Sequence, residues 1–547
     1  MEKIWLNSYQ LGVPHEIHAH AYSSLAHFFE EKCRQFKHRT AFINFGTRLS
    51  FSELERQSRF LASYLQNVVK LKPGSRVAVM LPNILQYPIA VFGILRAGMV
   101  IVNINVRYKA PELKQELDDS GAEGLIIFST ATPVLSSILH DIQLKTVIVT
   151  EIGDLFQCPK NIAFNLYTRF SHRKPSAIPH AITFNSALDQ GKQLKFNRVD
   201  LTLDDLAFLQ YTGGTTGIPK GAMLTHGSMI ANILQLSAFF KPMAHDEELI
   251  VTALPLCHIF ALTANCLTFL ELGCANLLIT DPTNIAAFIK QLSHYRFTVF
   301  VGLNTLFLHL LKHPKFAQLD FSSLHLTFAG GMPTQASIAQ EWQRVTGVPI
   351  IEGYGLTEAS PAVVVNPMNN TEFSSTIGVP LPSTEVSVRD DAGHELGCDV
   401  PGELWIRGPQ VMLGYWCAPE ETQQVLSQDG WLRTGDIVTI NSTGFIRIVD
   451  RKKEMILVSG FNVYPSEIEA VIAKHPGVLE VAVIGVPDET TGEKLKAVIV
   501  KKQPNLTEQD IIDFCHPFLT RYKIPHSVEF RESLPKSMVG KVLKRAL

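Results

Sequence analysis

Apolar and polar positions fall along this chain in two alternating kinds of block. Residues 76–81 form a short apolar run, a helical pattern follows as far as Ala97, and residues 99–102 are apolar again. Strand, helix, strand is the unit of a parallel sheet. Upstream, Leu54, Leu61, Tyr64, Leu65 and Val68 recur at helical spacing, with Ser52 and Glu55 read as a capping box at the helix start. Residues 124–127 and 146–149 read as further strands set among helical stretches. The pattern predicts an α/β fold with no short-period repeat.

One stretch, residues 249–270, holds 22 residues without a formal charge, long enough to span a bilayer. Pro255 splits it, and His258 and Asn265 lie within it. A buried strand, a turn and a buried helix account for it better. Further on, residues 445–449 read as a strand and the charged cluster at 450–453 follows. Beyond it Ser466 and Glu469 read as a capping box, and Ile468, Val471 and Ile472 share one helix face. Residues 478–486 and 495–500 read as strands, and Thr507 with Asp510 caps another helix. The expected plan is a large α/β domain of several subdomains at 1–449, a hinge at 450–453 and a small, mobile α+β domain at 454–547.

Composition narrows the picture only a little. With 547 residues there is room for more than one domain. The balance of 49 basic against 51 acidic residues argues against a nucleic-acid partner. Eight cysteines without a CxxC pair point to a reduced, cytoplasmic compartment, and Cys257 beside His258 reads as packing. Residues 1–20 are polar and lack the apolar core of a signal peptide.

The strongest chemical signal is YTGGTTGIPKG at 211–221. Glycines let a ligand approach the backbone, and consecutive amides can converge on an anion such as a phosphate. Thr212, Thr215 and Thr216 add hydroxyls and Lys220 a point charge. The run departs from a Walker A loop, because Ile218 stands where that pattern needs Gly-Lys-Ser/Thr. An apolar segment, 206–209, precedes it and a predicted helix follows. A plain surface turn is the alternative reading.

This run resembles the signature loop of the adenylate-forming superfamily, and the likeness repeats in order along the chain: LPLCHIFAL at 254–262, GYGLTE at 353–358, WLRTGD at 431–436, DRKKE at 450–454 and LPKSMVGKVLK at 534–544. It is closer still to bacterial long-chain fatty-acid–CoA ligases through VGLNTLF at 301–307, GPQVMLGYW at 408–416 and ILVSGFNVYPSEIE at 456–469. The resemblance implies the adenylate-forming enzyme fold. It implies that a fatty acid, ATP and CoA are substrates, with magnesium on the phosphates. An acyl-adenylate would form first and pass its acyl group to the CoA thiol.

The same resemblance implies residue roles. Lys541 would bridge the attacking carboxylate and the α-phosphate, and Lys220 with Thr212, Gly213, Gly214, Thr215, Thr216 and Gly217 would cradle phosphates. Glu358 would hold magnesium and Thr357 the α-phosphate. Gly331, Met332, Gly353, Tyr354 and Gly355 would surround the adenine. Asp436 would hold the ribose, Arg451 reaching it from the hinge side. His258 would position the substrate carboxylate. Lys453 would be the pivot about which the small domain turns, bringing Ser459 and Gly460 to the site for the second step. Phe328 and Ala329 depart from the smaller residues of close relatives, which implies altered packing beside the adenine segment. Residues 259–270 or 299–311 would line an acyl tunnel. Transfer to a carrier protein, a medium-chain or aromatic acid, and a non-catalytic sensor are the alternatives. Peripheral contact with the inner face of a membrane and a homodimer are further expectations.

Overall fold

The computed structural model describes residues 2–171, 174–212, 219–243, 247–458, 461–488, 492–536 and 542–547. Strands Arg76–Met80 and Val100–Asn103 lie parallel, joined by the helix Gln86–Arg96, as the apolar pattern predicts. Every residue of that helix is buried, the condition for a helix apolar all round. Gly124–Phe128 and Thr146–Thr150 extend the ladder on one side and Leu206–Thr212 on the other. Lys220–Thr225 closes this seven-stranded sheet in antiparallel pairing with Leu206–Thr212.

That last strand corrects the expected strand–loop–helix order. The glycine-rich run joins two antiparallel strands, and the helix His226–Phe240 starts only after the second. Ala222 and Leu224 are fully buried, so the backbone between them needs partners out of water and finds them on the neighbouring strand.

A nine-stranded sheet packs beside the first, with Leu249–Thr252, Val299–Gly302, Leu326–Ala329 and Ile350–Gly355 consecutive and parallel. In such sheets ligands bind beyond the carboxyl ends of the strands, which is where the GYG of Ile350–Gly355 lies. The charge-free stretch resolves into the strand Leu249–Thr252, a turn at Pro255, the π-helical segment Ala261–Leu267 and the short helix Thr268–Glu271. No helix among the described residues is long and apolar enough to cross a membrane. A four-stranded antiparallel sheet, Glu385–Arg389, Gly402–Arg407, Leu432–Ile440 and Ile446–Arg451, completes this part, and one apolar core runs through it from Trp5 to Ile446. Ile456, Ile468, Ile472, Val483 and Ile499 form a separate core inside the C-terminal five-stranded sheet and its helices.

Two caps differ from expectation. The box at the start of Phe51–Asn67 is Ser50 with Glu53, not Ser52 with Glu55: Ser50 Oγ accepts from Glu53 N at 3.2 Å and Glu53 Oε2 from Ser50 N at 3.1 Å. Both pairs have the right spacing, but Phe51 is fully buried as the first helical residue, and Glu55 is drawn to Arg96 at 2.8 Å. Likewise Pro465–Ile472 starts two residues early, with Pro465 at its first position and no side-chain cap. The amide of Ser466 donates instead to Asp450 Oδ2 at 2.8 Å, and Glu469 accepts from Val483 N at 2.7 Å. The Thr507–Asp510 box is present as expected.

Candidate active site

A cavity of about 690 Å³ opens where the ends of these sheets meet. Its wall includes Thr212, Lys220, His258 and Gly331, and also Gly353, Tyr354, Gly355, Thr357 and Glu358. Asp436, Arg451 and Lys453 close it from the four-stranded sheet and the segment beyond. Thus twelve positions picked out by motif, spread from 212 to 453, line one cavity. Gly213, Gly214, Thr215, Thr216, Gly217, Ser459, Gly460 and Lys541 lie outside the described residues.

Pairing of Leu432–Ile440 with Ile446–Arg451 sets Asp436 opposite Arg451. The Arg451 Nε lies 3.3 Å from Asp436 Oδ1, and the Tyr354 hydroxyl donates to Oδ2 at 2.5 Å. Burial first, and then the Asp436 charge, hold the Tyr354 hydroxyl well above its ordinary pKa, so it stays a donor. The result is a fixed carboxylate with its remaining lone pairs free for hydroxyl protons, the acceptor a ribose needs.

The strand carrying GYG ends under close constraint. A Cβ at Gly355 would stand 2.2 Å from the Pro361 carbonyl oxygen, so only glycine fits there. The next turn, Thr357–Ala359, has Leu356 at its N-cap and no side-chain cap; Thr357 caps nothing, and its hydroxyl is left to the cavity. Glu358 Oε1 accepts from the Tyr415 hydroxyl at 2.7 Å, and Met412 N donates to the Glu358 carbonyl at 2.8 Å. The Lys220 ammonium sits 5.5 Å over the Tyr415 ring and 3.7 Å from Glu421 Oε1. Tyr415 therefore touches both the carboxylate and the lysine. Its motif is matched in the sequence without a role, and pairing of Tyr415 with Ala222 brings it in.

The Glu358 carboxylate, on a wall that also carries Glu403, Glu421 and Asp436, fits a magnesium ion that takes its other ligands from substrate phosphates and water. Among the described residues there is no cluster of three or more His, Cys, Asp or Glu that would hold one without substrate.

His258 is open to the cavity yet lies deep in the protein, and loss of bulk water holds its pKa below the usual imidazole value. Its Nδ1 accepts from Phe260 N at 3.3 Å, which leaves the neutral ring's proton on Nε2 as a donor. The 330–335 loop is braced from both sides, Thr334 N donating to Glu352 Oε1 at 2.7 Å and Gln335 N to Asn304 Oδ1 at 2.9 Å. Burial pushes the Glu352 carboxyl up to about 7 against the pull of the Thr334 hydrogen bonds. Nothing local in the sequence marks Glu352 as a brace. Met332 does not share the wall with Gly331; it lines a second cavity of about 1250 Å³. Leu303, His309 and Lys312 line that cavity from the large sheet's side, and Lys474, Glu480 and Lys536 from the C-terminal sheet's side.

Residues 29–416 match the AMP-binding enzyme family and residues 467–541 its C-terminal domain. The chain belongs to the AMP-binding enzymes. It is 50% identical over 550 residues to the long-chain-fatty-acid–CoA ligase of Escherichia coli O157:H7, covering 100% of this chain and 98% of that one. The same enzyme of Haemophilus influenzae is 46% identical over 552 residues, with the same coverage. The crystal structure of ATP-bound MatB from Rhodopseudomonas palustris, 28% identical, superposes with a TM-score of 0.81 over 95% of this chain and 98% of that one. Ligand-free MatB gives 0.72 over the same shares, so this chain lies nearer the ATP-bound form.

Proposed function

We propose that this chain is an ATP-dependent ligase that activates a long-chain fatty acid as its acyl-adenylate and transfers it to CoA, releasing pyrophosphate and then AMP. The observation that carries the reading is the single cavity joining Asp436, Lys220, Thr357 and Glu358 to an apolar limb past His258. The large and small units meet at 450–453, and the separate C-terminal core supports that boundary.

A carboxylate is a poor acyl donor, so its oxygen attacks the α-phosphorus of ATP and the bond to pyrophosphate breaks. Asp436 and Arg451 hold the ribose, and Tyr354 and Gly331 the adenine face. Thr212, Thr357 and Lys220 neutralise phosphate oxygens, with Lys541 between carboxylate and α-phosphate. Magnesium, when bound at Glu358, supplies charge neutralisation on the phosphates. His258 donates from Nε2 to the acyl carboxylate and holds it in line. These are positioning and electrostatic effects, which dominate when anions must meet. In the second step the CoA sulfur attacks the acyl carbon, its proton passes to water, and AMP leaves. CoA reaches the site by the second cavity, where Lys312 and Lys474 match its phosphates in charge.

A long-chain acid is sparingly soluble, which favours a cytoplasmic enzyme that meets a lipid surface peripherally. The helix Lys160–Ser171 presents Ile162 and Leu166, one turn apart and 61% and 51% exposed, for such a contact.

Purified protein given ATP, magnesium, CoA and saturated acids from acetate to stearate is expected to yield AMP and acyl-CoA, rising towards long chains by mass spectrometry. Acyl-AMP without thioester would point to another acceptor, and no adenylate from any acid would overturn the reading. Tyr415→Phe removes the hydrogen bond that fixes Glu358, a loss of about 1.5–3 kcal/mol for a bond to a charged group. The magnesium concentration for half-maximal adenylation is expected to rise about tenfold or more with thermal stability nearly unchanged; titration with the metal checks it.

A further inference from the structure

The first cavity has two unlike halves. Beyond His258 its wall is apolar, with Leu236, Ala264, Phe328 and Val365 each at most 2% exposed. This limb ends on aromatic rings. Phe328 meets Phe240 edge-on at 5.6 Å between ring centroids and Phe260 at 6.0 Å.

The two rings that border the cavity differ in freedom. Phe260 is half-buried at the N-cap of the π-helical segment Ala261–Leu267, where a local change of helical register can move it. Phe328 has no such slack. It sits on Leu326–Ala329, paired in parallel on both sides within the large sheet. Its ring covers Gly353 so closely that a Cβ there would stand 2.6 Å from Cζ. With Gly353 on one side and Phe240 on another, the ring is a fixed wall. A side chain shorter than phenyl at this position would leave the limb open towards Phe240 and the large sheet.

We propose that Phe328 is a specificity-determining residue: its ring ends the acyl limb and sets the chain length at which activity stops rising. The inference rests on the ligase reading. Each methylene buried in the limb improves binding about fourfold, so kcat/KM climbs with chain length until the methyl end meets the ring. Every further carbon must then bend back or stay in water, and the gain disappears. The carboxylate end, held at His258 on the ligase reading, cannot retreat to make room.

The test is the kcat/KM profile over even-numbered saturated acids from hexanoate to stearate for wild type, F328A, F328L and F260A, with KM for ATP measured alongside. F328A is expected to move the optimum to longer acids by roughly two to four carbons, a gain of about fourfold for each added methylene that the opened limb accepts. F328L, which keeps most of the packing volume and decides the matter should F328A fail to fold, is expected to move it by less in the same direction. F260A is expected to change rates more evenly across the series. An unchanged length profile in F328L and in folded F328A overturns the proposal, as does a raised KM for ATP with the acyl profile intact, because the ring would then serve the nucleotide wall. If wild type makes no acyl-CoA from any acid, the ligase reading itself fails, which is a distinct result.

Discussion

Lys541→Ala is expected to slow adenylate formation by about 10²- to 10³-fold, the scale of removing one preorganised group that faces charge developing in a transition state. Two anions, the fatty carboxylate and the α-phosphate, must come within bonding distance, and their repulsion in a water-poor cavity is the barrier the lysine lowers. The described residues on either side of its segment line the second cavity, by which CoA is proposed to enter. Lys536 and Val542 pair in a short antiparallel bridge, Lys536 is held to Glu480 at 2.6 Å, and both line the cavity shared with the large sheet's side. The thioester step starts from an adenylate already made and needs no such bridge. Acyl-AMP supplied with CoA should therefore be converted by the variant at close to the wild-type rate. Pyrophosphate release and acyl-CoA formation, measured separately, check both halves; equal loss in the two steps would remove Lys541 from its assigned place.

The parts of this molecule legible in its sequence are those whose signal is local. The strand–helix–strand unit around Gln86–Arg96 shows in an unbroken apolar pattern, and the Thr507–Asp510 box shows in four adjacent residues. Where two local signals compete, tertiary context decides. Ser50 and Ser52 head equivalent capping patterns, and the choice falls to the one that buries Phe51 and leaves Glu55 for Arg96. Ser466 loses its cap role because Asp450, at the start of the 450–453 segment, takes its amide.

Site residues follow the same division. Asp436, Glu358 and Lys220 stand in runs whose residue types match their chemistry, and one cavity collects them. Tyr415 and Glu352 act through other groups. Tyr415 reaches Glu358 across 57 residues of chain, and Glu352 works on a loop amide 18 residues away. No spacing rule encodes such contacts, because the strand pairing that creates them is set by the whole sheet. Met332 illustrates the converse: it adjoins Gly331 in the motif yet turns into the other cavity.

Lys453→Pro is expected to spare adenylation and to lower transfer to CoA by about 10²-fold, the scale of a misplaced catalytic segment. The residues on either side of Lys453 are tied to opposite bodies. Lys452 is held by Asp391 at 2.6 Å and Glu403 at 3.1 Å, both belonging to the four-stranded sheet and its turn. Glu454 is held by Lys544 at 3.1 Å, which also binds Glu469 of the C-terminal unit at 2.8 Å. A rotation of one body against the other, as proposed for the second step, would be absorbed between these anchors. Lys453 is the residue between them. It lies in the 3₁₀ turn Lys452–Glu454, a conformation whose usual φ overlaps the value proline enforces. Proline therefore suits the arrangement seen here and opposes one that needs a different φ. The Ser466–Asp450 bond must also break in such a turn, so Asp450→Asn, which weakens it, should act in the opposite sense and favour the second step. Single-turnover measurement of acyl-AMP consumption by CoA reads the effect directly. Unchanged rates in both steps for Lys453→Pro would place the pivot elsewhere.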